Sequence, residues 1–142
     1  MRTKQQYTEG LRKMRNNLYY NGGKINRADE VQMDCINTIG TTFDEAAKPE
    51  NADLLTAKSH LTGETINRFT HVHQSAEDLH RKQDMTRFLC RKVGGCIQRC
   101  MGVDALNAVN AVSYEADKGN DGATEYHAQC PQSAARPPPE EL

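Results

Sequence analysis

The sequence has no tryptophan and only three phenylalanines, and aromatic residues make up 6% of its 142 positions. Any core must therefore be built from Leu, Met, Ile, Val and many alanines, and it will be modest. No apolar run approaches the roughly 20 residues of a membrane span, so no membrane partner is expected. Neither charge sign dominates: the formal net charge is −1. Without a block of like charges there is no electrostatic footprint for nucleic acid. Internal repeats, a G-x-G-x-x-G turn, a Walker loop, a serine nucleophile elbow and a recognisable pair of catalytic carboxylates are all missing. The opening Met1-Arg2-Thr3-Lys4-Gln5 is too polar for the apolar core of an export signal. Five cysteines, an odd number, then point to reduced thiols and a cytoplasmic location. The length fits one domain.

What is present is helical periodicity. Thr3 and Gln6 form a capping box ahead of a stripe of Tyr7, Leu11, Met14 and Leu18. Asn21-Gly22-Gly23 ends that helix, because it supplies the positive φ of a tight turn. A second helix is expected over 28–47, with Val31, Cys35, Ile39 and Phe43 as its buried stripe and Pro49 beyond its end. Cys35 then reads as a core thiol. From Pro49 to Gly63 the pattern breaks into an irregular, partly helical connection anchored by Leu54, Leu55 and Leu61. His71 and His73 form an H-x-H that suits half of a metal site, but no further ligand stands at a matching spacing. Ser75 caps a third helix that runs through Leu79, Met85, Phe88 and Leu89 to Gly94-Gly95. A fourth continues through Leu106, Val109 and Val112, and its Ala105, Ala108 and Ala111 would let another helix approach closely. From Ala128 onward there is no apolar periodicity, and the tail reads as disordered.

The chemistry concentrates in Cys96-Ile97-Gln98-Arg99-Cys100. Read as helix, this stretch places the two thiols one above the other on a single face. Parallel thiols suit a shared ligand better than a disulfide: two irons of one cluster, or one zinc. Two cysteines on one helix face are equally the ordinary mark of a packed core, and a zinc half-site needs two more ligands. Gly94-Gly95 tilts the choice. If the glycines break the helix, Cys96 opens a new one, where free N–H groups and the macrodipole favour a thiolate. Arg87, Arg91, Lys92 and Arg99 add positive charge nearby.

The same residues resemble a known family. Arg2-Thr3, Gln6-Tyr7, Leu11-Arg12 and Gly23-Lys24-Ile25 are similar to the opening of the 4-hydroxyphenylacetate 3-hydroxylase superfamily. Lys58-Ser59-His60-Leu61-Thr62-Gly63-Glu64-Thr65-Ile66-Asn67-Arg68-Phe69 resembles its iron–sulfur flavoprotein branch, the 4-hydroxybutyryl-CoA dehydratases/vinylacetyl-CoA Δ-isomerases. His73-Gln74-Ser75 and Asp78-Leu79 continue that likeness. Its most specific part is Cys96 to Val109, since the monooxygenase branch lacks the cysteine pair. The resemblance covers roughly Met1 to His127.

It implies an all-α fold class: residues 1–127 as the N-terminal helical domain of an acyl-CoA-dehydrogenase-like layout, with 128–142 as a disordered low-complexity tail. It implies a homotetrameric parent enzyme with FAD and a [4Fe–4S] cluster, acting on an acyl-CoA substrate. Water is removed from 4-hydroxybutyryl-CoA to give crotonyl-CoA, and the related isomerase moves the double bond of vinylacetyl-CoA. Cys96 and Cys100 become two of the metal ligands, a third cysteine and a histidine come from a later domain, and Gln98 lies close to the active site. Gly94-Gly95 departs from the family's usual non-glycine residues. A flavin-binding β domain has no counterpart here. The chain therefore looks like a truncated or frameshifted copy, or a small subunit whose flavin-binding and C-terminal domains are supplied in trans, inactive alone. Two other readings stand beside this one. A piece of a flavin-dependent aromatic hydroxylase would leave both cysteines inert. A stand-alone helical interaction module or small zinc protein would need neither flavin nor iron.

Overall fold

The computed structural model describes the backbone of residues 1–135 and the side chains of residues 1–130. Among the described residues, six α-helices carry most of the fold. α1 (Lys4–Lys13) begins with the expected capping box: Thr3 accepts from the Gln6 N–H at 3.2 Å, and the Thr3 N–H donates to Gln6 Oε1 at 2.9 Å. It ends earlier than the Tyr7–Leu18 stripe suggests. Leu18 instead opens strand β1 (Leu18–Tyr20), which pairs antiparallel with β2 (Gly23–Ile25). Asn21 (φ 48°) and Gly22 (φ 78°) make the two-residue turn, whose positive-φ backbone matches the right-handed twist of the flanking strands. The turn signal was legible. The strands on either side were too short to show alternation.

After a 3-10 turn at Glu30–Gln32, α2 runs from Met33 to Ala46. Its buried face is Ile36, Gly40, Thr42, Glu45 and Ala46, one position away from the expected stripe. Val31 and Cys35 are exposed, so Cys35 is not a core thiol. The shift follows from α1, which packs along one side of α2, with the Tyr7 and Phe43 rings tilted against each other at 5.6 Å, and leaves the Cys35 side to solvent. α3 (Ala52–Leu55) leads straight into a second hairpin, β3 (Thr56–Lys58) with β4 (Thr65–Asn67). Leu55 is fully buried and Leu54 partly so, but Leu61, at the hairpin tip, is exposed. These two small hairpins make the fold mainly helical rather than all-α.

α4 (Ala76–Val93) and α5 (Cys100–Gly119) are the long elements. Ser75 caps α4 by accepting from the Asp78 N–H at 3.2 Å. The core gathers between α2, α3, the Arg68–Thr70 turn, α4 and α5, as Ala46, Leu55, Phe69, Met85, Leu89, Ile97 and Val103. α6 (Tyr126–Ala135) packs along α5. The expected tail begins inside this helix: residues 128–135 are helical, and 136–142 lie outside the described residues. Cys130-Pro131 hid it from a periodicity argument. Asp117 of α5 explains its start, accepting from the N–H groups of Tyr126 at 3.0 Å and His127 at 2.8 Å, while Thr124 donates to it at 2.7 Å. Two of the donors a helix N-terminus leaves unpaired are thus met from the preceding helix. Among the described residues no helix is long and apolar enough to cross a membrane.

Candidate functional site

The cysteine pair does not lie on one helix face. α4 stops at Gly94, whose φ of 74° is the left-handed cap that glycine favours, and the Gly94 and Gly95 N–H groups both donate to Cys90 O. Residues 94–99 form a loop, and Cys100 is the first residue of α5. The helix break expected at the glycines is real, but the new helix starts four residues later, at Cys100 rather than Cys96. Glycine at the cap ends α4, and Gln98, with φ of 60°, holds the backbone out of helix until Arg99.

Two anchors fix this loop. Ile97 is fully buried in the core. Arg99 is clamped between aromatic faces, its guanidinium carbon 4.6 Å from the centre of Phe43 and 4.5 Å from that of Phe69. It also donates to Thr42 Oγ1 at 2.7 Å. Burial draws the Arg99 pKa down to about 10, so it stays cationic at neutral pH. With Ile97 and Arg99 pointing inward, Cys96 and Gln98 alternate outward, and both are exposed.

The two sulfurs nevertheless come together. The Cys96 and Cys100 thiols are within hydrogen-bonding reach of each other, and the Gln98 N–H donates to Cys96 Sγ at 3.4 Å. At Cys100, the residue that does open the helix, the thiol pKa is raised. Burial pushes it up, the bond and charge of Cys96 add to that, and the N–H groups of Met101 and Cys100 only partly oppose them. Helix-end stabilisation serves one anion well, while a second thiolate beside the first is repelled until a cation shares it. The expected positive surroundings are largely engaged elsewhere: Arg87 with Asp84 at 3.3 Å, Lys92 with Glu45 at 3.8 Å, Arg99 inside its aromatic clamp.

Gln98 has a second contact that sequence reasoning missed. Its Nε2 lies 3.7 Å from Cys35 Sγ, so the exposed thiol of α2 borders the loop. Nothing in the spacing of residues 35 and 98 announces this.

As a donor set, two adjacent thiols at a helix start suit a thiolate-ligated group, but they are half of one. Among the described residues, no three His, Cys, Asp or Glu side chains stand close enough together to hold an ion. That finding covers the H-x-H as well. His71 is buried with Nε2 3.3 Å from Asp78 Oδ1, and the His73 N–H donates to Asn107 Oδ1 at 2.7 Å. The His71 ring holds the start of α4, and the backbone of His71 and His73 ties the segment to Asn107 of α5. Beside them, a cleft of about 590 Å³ is lined by Lys58, His60, Arg68, His71, Gln74 and Asp78 among others, and the cysteines do not border it. Arg68 itself is buried and donates to the carbonyls of Asp53, Leu54 and Thr56, fastening α3 to the turn after β4.

Residues 3–134 match the family model described as 4-hydroxyphenylacetate 3-hydroxylase N terminal. The chain belongs to that family. Within it, the chain is 45% identical over 127 residues to the 4-hydroxybutyryl-CoA dehydratase/vinylacetyl-CoA-Δ-isomerase of Clostridium aminobutyricum, covering 88% of this chain and 26% of that protein. A solved oxygen-tolerant archaeal 4-hydroxybutyryl-CoA dehydratase from N. maritimus superposes with a TM-score of 0.84 at 32% identity, over 94% of this chain and 26% of that one. The chain spans about a quarter of the length of each of these relatives.

Proposed function

We propose that this chain supplies the N-terminal helical part of an FAD- and [4Fe–4S]-dependent dehydratase that converts 4-hydroxybutyryl-CoA to crotonyl-CoA. One observation carries the reading: an adjacent thiol pair, Cys96 exposed on the loop and Cys100 half-buried at the start of α5, with Ile97 and Arg99 between them locked into the core. The likeness to two proteins named as dehydratases supports it. A hydroxylase piece would give that anchored pair no task.

In this reading Cys96 and Cys100 hold one side of the cluster, and the remaining ligands lie beyond the described residues. When bound, the cluster supplies Lewis-acid chemistry at the acyl-CoA. The chain's own contribution is placement. Arg99 and Ile97 fix the loop, and the left-handed backbone at Gln98 leaves its exposed side chain between Cys96 and Cys35, from where it would reach a bound acyl group. FAD binding, the acyl-CoA-dehydrogenase-like layout, the homotetramer and the substrate site belong to the rest of such an enzyme, supplied in cis or in trans. The chain alone is then inactive, and a cytoplasmic setting would keep its five free thiols reduced.

The test is a hybrid in which this chain replaces the matched quarter of the Clostridium aminobutyricum relative. The hybrid should form crotonyl-CoA from 4-hydroxybutyryl-CoA, and Gln98→Ala should slow it. An intact, cofactor-loaded hybrid without that activity would sink the proposal.

A further inference from the structure

α5 carries a face that no described element covers. Met101, Ala105, Ala108 and Val112 follow one another at intervals of four, three and four residues, so they lie within a sector of roughly 60° along the helix. All four are exposed, Met101 and Val112 by 70% and 67%, and exposed Val109 flanks the row. The opposite side of α5 is fully used: Val103 enters the core, Asn107 binds the His71–His73 segment, and Asn110 and Ser113 meet His127 of α6. The alanines that would admit a close helix therefore point away from everything the structure describes.

We infer that this row is the seat of one helix from the later three-quarters of a dehydratase polypeptide. The inference rests on the reading of the chain as part of such an enzyme. Three features support the occupant. The relatives are about four times as long, so most of each lies outside the part that this chain matches. The interval pattern is that of a helix–helix seam, and alanines at its centre let two backbones approach closely. The row begins one residue after Cys100, so a helix seated there stands beside the incomplete ligand pair. One edge of the row carries exposed Glu115 and Asp104, the latter already paired with Lys82 of α4, and the other carries small neutral residues. The occupant should therefore be apolar along its contact stripe and basic along the edge that faces Glu115.

Thiol labelling tests this, with Ala108→Cys, Val112→Cys and, as control, Leu79→Cys on the exposed side of α4. Peptide mass analysis separates the new thiols from the native ones. In this chain alone all three should label at the same rapid rate. In the hybrid with the Clostridium aminobutyricum relative, positions 108 and 112 should label at least about tenfold more slowly while position 79 is unchanged. Equal labelling of 108 and 112 in both would overturn the inference, and the iron content of the same hybrid judges the ligand reading separately. A dimer of the isolated chain with 108 and 112 already protected would assign the seam to a second copy and overturn it too. So would an unsubstituted hybrid that fails to assemble where the parent enzyme does.

Discussion

The backbone N–H of Gln98 donates to Cys96 Sγ at 3.4 Å, across a loop in which every second side chain is buried or clamped. Position 97 reaches the core and position 99 an aromatic sandwich, and the exposed sulfur is held by what lies on either side of it.

Ile97 should be the strongest single support of that loop. Ile97→Ala removes a fully buried side chain and should cost about 2–5 kcal/mol, whereas Ile97→Val should cost about 0.5–1.5 kcal/mol. Urea unfolding with circular dichroism reads both, and an alanine variant as stable as the parent would show that the loop is not anchored there.

Arg99 should not be replaceable by lysine. Its planar guanidinium lies between Phe43 and Phe69 and donates to Thr42, which a point-charge ammonium cannot reproduce. Arg99→Lys and Arg99→Met should each lose about 2 kcal/mol of stability. Full stability of the lysine variant would contradict the clamp.

The two glycines should separate cleanly. Gly94 sits at φ 74° and Gly95 does not, and neither has a heavy atom within 4 Å of where a Cβ would stand. Gly94→Ala should therefore cost about 1 kcal/mol through backbone strain alone, and Gly95→Ala should be close to neutral. Matched thermal melts decide it.

Acid should unfold the chain in two stages. Burial, then the neighbouring His71, lower the pKa of His73, so the neutral ring's contribution is complete above about 6.5 and lost as pH falls through the depressed value. The carboxyls of Glu45, Asp78 and Asp117 are lowered as well. At Glu45 the Lys48 bond leads; at Asp78 and Asp117 burial opposes the shift, and backbone N–H donors with neighbouring side-chain bonds outweigh it. Their contribution is complete above about 4 and disappears as pH falls below that range. His73→Gln should remove the first stage and leave the second. A pH titration of urea midpoints in which parent and variant coincide at every pH would contradict this.

The helices with strong caps were readable: Thr3 with Gln6, Ser75, and the glycine stop at Gly94 all do what their chemistry demands. The cysteine pair was readable as a unit, but its geometry was not. Periodicity carried the helix through Cys96, whereas the burial of Ile97 and the Arg99 clamp, both tertiary, hold the backbone out of it. Cys35 was misplaced for a related reason. Its spacing fits an apolar stripe, yet the face of α2 that turns inward is decided by where α1 packs. α6 was missed because its start is set by Asp117, nine residues before Tyr126 and on another helix. Both hairpins have strands of three residues, too few to reveal alternation.

Iron content is the most direct measure of the central claim. The hybrid described above would be reconstituted anaerobically, and its iron and sulfide compared with those of Cys96→Ser, Cys100→Ser, Cys35→Ser and Cys130→Ser. The account predicts that the first two lose the cluster and its visible absorption, while the last two retain both. Retention by Cys96→Ser and Cys100→Ser would contradict it, leaving the pair with a packing role only.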